Sequence, residues 1–212
     1  MKTLTFVTQK GGAGKTTLAA SMAVAAAEAG EKVVALDLDP QGSLASWGES
    51  RNEESPAVDR IAPDQIAHLP QILDALKGQG FTLAILDTAG IESTSGNLAM
   101  KAADLCLIPA RPSSLDLKAT LPTVQTLMRL EQKEQFAFVL NQAPPGRNSR
   151  SSEAASGLAM FGVLADPVVT QRADHQDALA AGKGVTEYAP TGKASEEIRA
   201  LWAWSARKMK AK

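Results

Sequence analysis

The chain has 212 residues, the length of one compact domain rather than two. Apolar residues make up 44% and charged residues 21%, a globular balance that excludes wholesale disorder. Lys plus Arg number 22 against 23 Asp plus Glu, so the net charge of −1 exerts no bulk pull on nucleic acid or membrane, and any such binding needs a local patch. Leu4 to Thr8 reads as a first strand, followed at once by a Gly-rich turn. Thr16 to Ala29 reads as an Ala-rich helix stopped by Gly30. Val33 to Leu38 is a second strand, apolar almost throughout, as central parallel strands are. Asp39 to Pro63, rich in Ser, Glu, Pro and Arg, reads as surface loop with a short edge strand near Ile61. Asp64 to Lys77 is helical in pattern, and Leu83 to Leu86 is the next strand. Leu105 to Pro109, Phe136 to Leu140 and Val163 to Val169 continue the strand series. Segments around Leu98, Leu115 to Leu130 and Ser151 to Phe161 are the helices between them, and Ser195 to Met209 is the last helix. Strand and helix alternate from end to end. That predicts an α/β fold: one domain over residues 1–212, an open, mostly parallel sheet with helices on both faces.

The string Lys10-Gly11-Gly12-Ala13-Gly14-Lys15-Thr16-Thr17 stands between a predicted strand and a predicted helix, the context of a phosphate-binding loop. Glycines let backbone N–H groups converge on an anion, and the helix N-terminus adds partial positive charge. Lys15 is placed to reach the β- and γ-phosphates of a nucleotide, and the Thr16 hydroxyl to ligate Mg²⁺. The standard spacing would put Gly at position 9, where this chain has Gln9; the loop instead opens on a second lysine, Lys10. Loop geometry does not call for a cation there. Charge neutralisation near phosphate does.

This string is the deviant Walker A motif, and the chain resembles the ParA/MinD family of P-loop ATPases, most of all the small ParA-type partition proteins. Asp37-Leu38-Asp39-Pro40-Gln41-Gly42-Ser43 resembles that family's switch I, and Leu83-Ala84-Ile85-Leu86-Asp87-Thr88-Ala89-Gly90 its Walker B strand and switch II. Gly184-Val185-Thr186-Glu187-Tyr188-Ala189-Pro190 is a weaker match. Where the family frequently has Asp-Thr-Pro-Pro, this chain has Asp87-Thr88-Ala89-Gly90.

The carboxylates follow the same logic. Asp39 ends a buried strand, where open α/β sheets bind ligands, and a carboxylate there can orient the attacking water. The resemblance makes it the hydrolytic aspartate; the structural alternative is a loop or cap Asp. Asp37, two residues back, reads equally as a buried ion-pair partner or as part of the Mg²⁺ surroundings, near Lys10. Asp87 suits an outer contact to Mg²⁺, which keeps several waters. Asn141 follows the strand Phe136 to Leu140; the resemblance makes it the reader of the adenine edge, and the alternative is a turn residue before Gln142-Ala143-Pro144-Pro145. Arg111 falls near the base or at a dimer surface.

Cys106, the single cysteine, reads as a small core residue and excludes both an intrachain disulfide and a cysteine cluster. His68 and His175 carry no ligand spacing and read as surface or helix-end residues. Basic residues recur late: Arg147, Arg150, Arg172, Lys183, Lys193, Arg199, Arg207, Lys208, Lys210 and Lys212. Arg172, at the start of a helix, lies where ParA-type proteins carry a DNA-contacting arginine; Lys208 and Lys210 are lesser candidates. The last helix carries Ile198, Leu201, Trp202, Ser205 and Met209 on one face, either packed on the sheet or, as in MinD proteins, laid on a membrane. The first reading fits better, because Glu196 and Glu197 precede the short stripe.

No apolar run reaches the roughly 18 residues of a membrane span, and the N-terminus enters a strand without signal-peptide architecture. A cytoplasmic protein is expected. The resemblance implies a slow, Mg²⁺-dependent, partner-stimulated ATPase whose ATP-bound homodimer binds DNA nonspecifically, associates with the nucleoid, and positions a plasmid, chromosome region or protein cargo through a ParB-like or cargo adaptor. In that picture Lys10 of each subunit contacts phosphate in the other's site. A MinD-like membrane regulator and a metabolic P-loop ligase are the alternatives. The first is separable by its membrane helix. The second needs a further polar catalytic cluster, which the sequence does not display.

Overall fold

The computed structural model describes residues 1–146 and 149–210. Its strands are β1 (Lys2–Phe6), β2 (Val33–Asp37), β3 (Ala57–Arg60), β4 (Leu83–Asp87), β5 (Leu105–Ala110) and β6 (Phe136–Leu140). They form one sheet in the order β3-β2-β4-β1-β5-β6, and every pairing is parallel. The helices are α1 (Lys15–Glu28), α2 (Ser43–Glu49), α3 (Leu69–Gly78), α4 (Thr94–Ala102), α5 (Ser114–Arg129), α6 (Ser149–Ala159), α7 (Ala173–Ala180), α8 (Val185–Tyr188) and α9 (Lys193–Lys210).

The strands are apolar throughout because both faces are covered. Side chains alternate across a strand. Leu4, Phe6, Val33, Ala35 and Ile85 pack with α1 and α9, whereas Val34, Leu36, Ala84 and Leu86 pack with α3 and α4. At the β5–β6 side Cys106, Ile108 and Phe138 pack with α5 and α6. Cys106 is fully buried, as a core residue should be. The apolar stripe of α9 is in the core as well: Ile198 and Leu201 are fully buried, and Trp202 and Met209 nearly so.

The structure departs from the sequence pattern in four places. Val163 to Val169 is not a strand; it touches β6 and its following loop through the single bridges Phe138–Leu164 and Ala143–Thr170. Apolar β-branched composition brought it to the sheet edge without a ladder. The predicted loop Asp39 to Pro63 contains α2, and its edge strand is Ala57–Arg60, one step before Ile61. Asp64 to Lys77 divides into a 3₁₀ turn over Ile66–His68 and then α3. His175 is the helix-end residue expected, in the first turn of α7, but not a surface one: it is buried, and burial holds its ring below the ordinary histidine range. His68 is exposed.

Candidate functional site

The carboxyl ends of β1, β4 and β2 are neighbours, and the site forms there. β1 runs into the loop, which ends at Gly14 in the left-handed region, φ 89°, before α1 begins. No side chain caps α1, and no acidic residue stands in its first turn. The first N–H groups of a helix have no partner within it, so they are available to an anion.

Parallel pairing puts Asp37 in register with Asp87, and Asp87 in register with Phe6. The Thr16 hydroxyl, in the first turn of α1, donates to Asp87 Oδ2 at 2.6 Å. Asp87 is 1% exposed, and its Oδ1 is buried without a hydrogen-bond partner. Burial is the main reason its carboxyl is pushed up to about 7; the Thr16 hydrogen bond works against burial, and Asp37 adds to it. Lys15 is 7% exposed; burial draws its ammonium down, opposed by the charges of Asp87 and Asp39. An orphaned carboxylate oxygen beside a threonine hydroxyl is a hard oxygen pair. It suits Mg²⁺, which takes one or two protein ligands and leaves its other positions to water and phosphate. Thr16 and Asp87 are the residues that would hold it.

Asp87 is therefore costly to the ligand-free fold. Its folded pKa lies above the unfolded value of 3.8. The penalty is absent below pH 3.8, grows as pH rises toward 7, and is complete above that. Asp87→Asn should raise the Tm of the nucleotide-free protein by about 5 °C at pH 8 and hardly change it at pH 4. A denaturation series over pH checks this, and a uniform loss at every pH refutes it.

Asp37 is fully buried, and its two oxygens accept from the backbone N–H groups of Asp39 and Ala45, both at 2.9 Å. It holds the turn into α2, although the sequence pointed equally toward Mg²⁺. Asp39 is half-buried, and its Oδ1 accepts the Gln41 N–H at 2.9 Å. Gly90 lies directly on the loop: a Cβ there would come within 3.1 Å of Gly11 N and Cα. The Ala89-Gly90 departure thus seats switch II against the phosphate loop, where a larger residue would lift it.

Lys10 does not face Asp37. Its ammonium lies 2.8 Å from Asp116 Oδ1, which also accepts from Arg111 Nε at 3.0 Å. The Ser113 hydroxyl donates to the other oxygen of Asp116. Burial alone would raise this carboxyl, but its hydrogen bonds from Lys10, Ser113 and Arg111 hold it below the ordinary range. Sequence reading missed Asp116; the Ser113-x-x-Asp116 spacing announces only the cap of α5, which the Ser113 side chain makes. Arg111 is placed by this contact.

Asn141 Nδ2 donates to the Ala13 carbonyl at 2.7 Å, so the residue read as an adenine contact braces the loop. Arg172 stands at the N-cap of α7, and its Nη2 is 2.8 Å from Glu197 of α9, so its charge is partnered within the chain. Lys210 is exposed and Lys208 half-buried. Arg147 and Lys212 lie outside the described residues.

The family described as VirC1 protein matches residues 1–187. The VirC1 protein of Rhizobium rhizogenes is 33% identical over 190 residues, which are 86% of this chain and 80% of that protein. The maintenance of carboxysome distribution protein A of Gloeobacter kilaueensis is 30% identical, covering 90% of this chain and 86% of that one. Among solved structures, a chain of the MinC:MinD cell division complex of Aquifex aeolicus superposes with a TM-score of 0.79 at 17% identity, over 100% of this chain and 97% of that one. With the deviant loop, the Walker B aspartate bonded to Thr16 and the parallel sheet that joins them, the chain belongs to the VirC1 family of ParA/MinD-type P-loop ATPases.

Proposed function

We propose that this chain hydrolyses ATP to position a cargo, through an ATP-bound homodimer that binds DNA without sequence preference. The observation that carries the nucleotide part is the uncapped start of α1 beside the Thr16–Asp87 pair, with Asp87 Oδ1 unpartnered. In this reading Gly11, Gly12, Ala13, Gly14, Lys15, Thr16 and Thr17 cradle the phosphates, and Lys15 supplies the charge at the β- and γ-groups. Asp39 orients the attacking water. Thr16 and Asp87 would hold Mg²⁺, which would supply charge neutralisation at the phosphates. Asn141 reaches adenine only with the part of its amide not given to Ala13. A relative named for maintaining carboxysome distribution supports the positioning role and a protein cargo as one of its forms.

Lys10 bears on the dimer. To reach phosphate in a second subunit it must leave Asp116, which then keeps Arg111 and Ser113. The carboxylate keeps two of its three donors through the exchange, which limits the cost of releasing Lys10. A membrane-bound alternative has less to work with, because the α9 face it would need is packed in the core.

DNA binding should require ATP, ignore sequence and fall linearly in log affinity against log salt. Dimerisation joins two weak patches rigidly, which raises effective concentration without new contacts. Arg172 contributes only by releasing Glu197, so Lys208 and Lys210 are the cleaner probes. Lys208→Glu with Lys210→Glu should weaken DNA binding about tenfold or more at moderate salt while ATP binding is retained. Gel-shift titrations on two unrelated duplexes, with ATP, ADP and no nucleotide, decide it. Equal binding in every nucleotide state refutes the ATP control of DNA binding, and binding in none refutes DNA tethering and moves the proposal to an adaptor-tethered ATPase.

A further inference from the structure

We propose that Gln142 is a positioning residue for the phosphate loop: with Asn141 it holds two loop carbonyls outward, so that the N–H groups of Ala13 and Gly14 face the bound phosphates. The inference rests on the nucleotide-binding reading above and adds to it the device that pre-forms the anion cradle.

β6 ends at Leu140, and the chain turns sharply. Gln142 has φ 53°, in the left-handed region that residues with a Cβ avoid. Among the described residues only Glu131 shares that feature without being glycine. The unfavourable turn aims the Gln142 amide back at the loop, where Nε2 donates to the Gly12 carbonyl at 3.2 Å. Asn141 Nδ2 donates to the next carbonyl, Ala13, at 2.7 Å. Both partners are acceptors, so the amide nitrogens must face them.

The two amides lie over Gly14. A Cβ built on Gly14 would sit 2.4 Å from Asn141 Nδ2 and 3.2 Å from Gln142 Nε2. They fill the place of the side chain that residue 14 lacks. The consequence for phosphate follows from peptide planarity. In a trans peptide the C=O and the following N–H point opposite ways. Drawing the Gly12 carbonyl toward Gln142 turns the Ala13 N–H to the other side, and drawing the Ala13 carbonyl toward Asn141 does the same for Gly14. Successive N–H groups on one side form an anion nest. Fixing them before binding lowers the ordering cost when phosphate arrives.

A residue that only makes the turn behaves differently from one that positions the loop, and Gln142→Gly separates the two. Glycine relieves the positive φ but removes the amide. The expected result is a Tm at or above wild type. Dissociation constants for ADP and for inorganic pyrophosphate should weaken together by about three- to tenfold, the loss of one neutral hydrogen bond. Turnover of saturating ATP should stay within about twofold, because the hydrogen bond acts on binding. Gln142→Asn tolerates the backbone but is one methylene short, so it should bind like Gln142→Gly. The readouts are thermal denaturation, competition of pyrophosphate and ADP against a fluorescent ADP analogue, and steady-state ATP hydrolysis. Wild-type affinities in Gln142→Gly overturn the assignment, as does a joint fall of Tm and affinity, or a loss confined to turnover. If the wild type binds neither pyrophosphate nor ADP, the phosphate-loop reading itself fails, a result distinct from equal binding by wild type and variant.

Discussion

Lys15→Ala should all but abolish nucleotide binding while leaving the protein folded. Lys15 is the loop's one buried cation: it is 7% exposed at the first position of α1, between the charges of Asp87 and Asp39. Without it, Asp39 and whatever fraction of Asp87 is ionised would present only negative charge to incoming phosphates. Removing the ammonium therefore takes away a charge-assisted contact and leaves repulsion in its place. One such hydrogen bond to a charged group contributes about 1.5–3 kcal/mol, and two phosphate oxygens are lost together, so affinity should fall by about 100-fold or more. The fold should survive, since burial already disfavours the charged amine and alanine is the best helix former. Equilibrium titration with a fluorescent ATP analogue, with circular dichroism as the folding check, measures both. Unchanged affinity would remove the phosphate-loop reading altogether.

Asp39→Ala should have the opposite signature, with ATP binding kept and turnover lost. The loop, Lys15 and the Thr16–Asp87 pair are untouched by this change, so the cradle remains. What goes is the carboxylate two residues past β2 that orients water in the proposed mechanism, and loss of such a group slows a step by about 10² to 10⁴. With hydrolysis blocked, the ATP-bound dimer should accumulate in light scattering. Asp39 also accepts the Gln41 N–H, so a second variant is needed to separate chemistry from loop structure. Asp39→Asn preserves that acceptor and should still lose turnover. Full activity in the Asn variant, or a monomer with ATP where wild type dimerises, would reduce Asp39 to a turn residue.

The candidate site was legible because its parts are local. A strand, a glycine loop and a helix follow one another within residues 2–28, and that order is what a phosphate site needs. Asp39 and Asp87 each end an apolar run, and parallel strands bring their carboxyl ends to one edge. The elements misread were those with weak local signals. α8, which the sequence did not announce, has four residues, a length at which an isolated helix does not persist. α2 follows Asp39-Pro40 and contains Gly48, and it is anchored by the Asp37 carboxylate on the Ala45 N–H, a contact no periodicity displays.

By itself the sequence determined the fold class and the placement of the glycine loop and of the two carboxylates at or just past the ends of their strands, because each depends on residues close in the chain and on a burial pattern written into it. Only the tertiary structure decided where the charges and amides are used. Lys10 meets Asp116, Arg172 meets Glu197, and Asn141 and Gln142 reach the loop's carbonyls across sequence separations that carry no pattern. The strand order β4-β1-β5-β6 sets β1 beside β5, with β6 next, so the loop after β1 meets the start of α5 and the turn after β6. A polar side chain takes whatever partner the packing of apolar elements leaves within hydrogen-bond reach, and that is fixed only when the sheet is assembled.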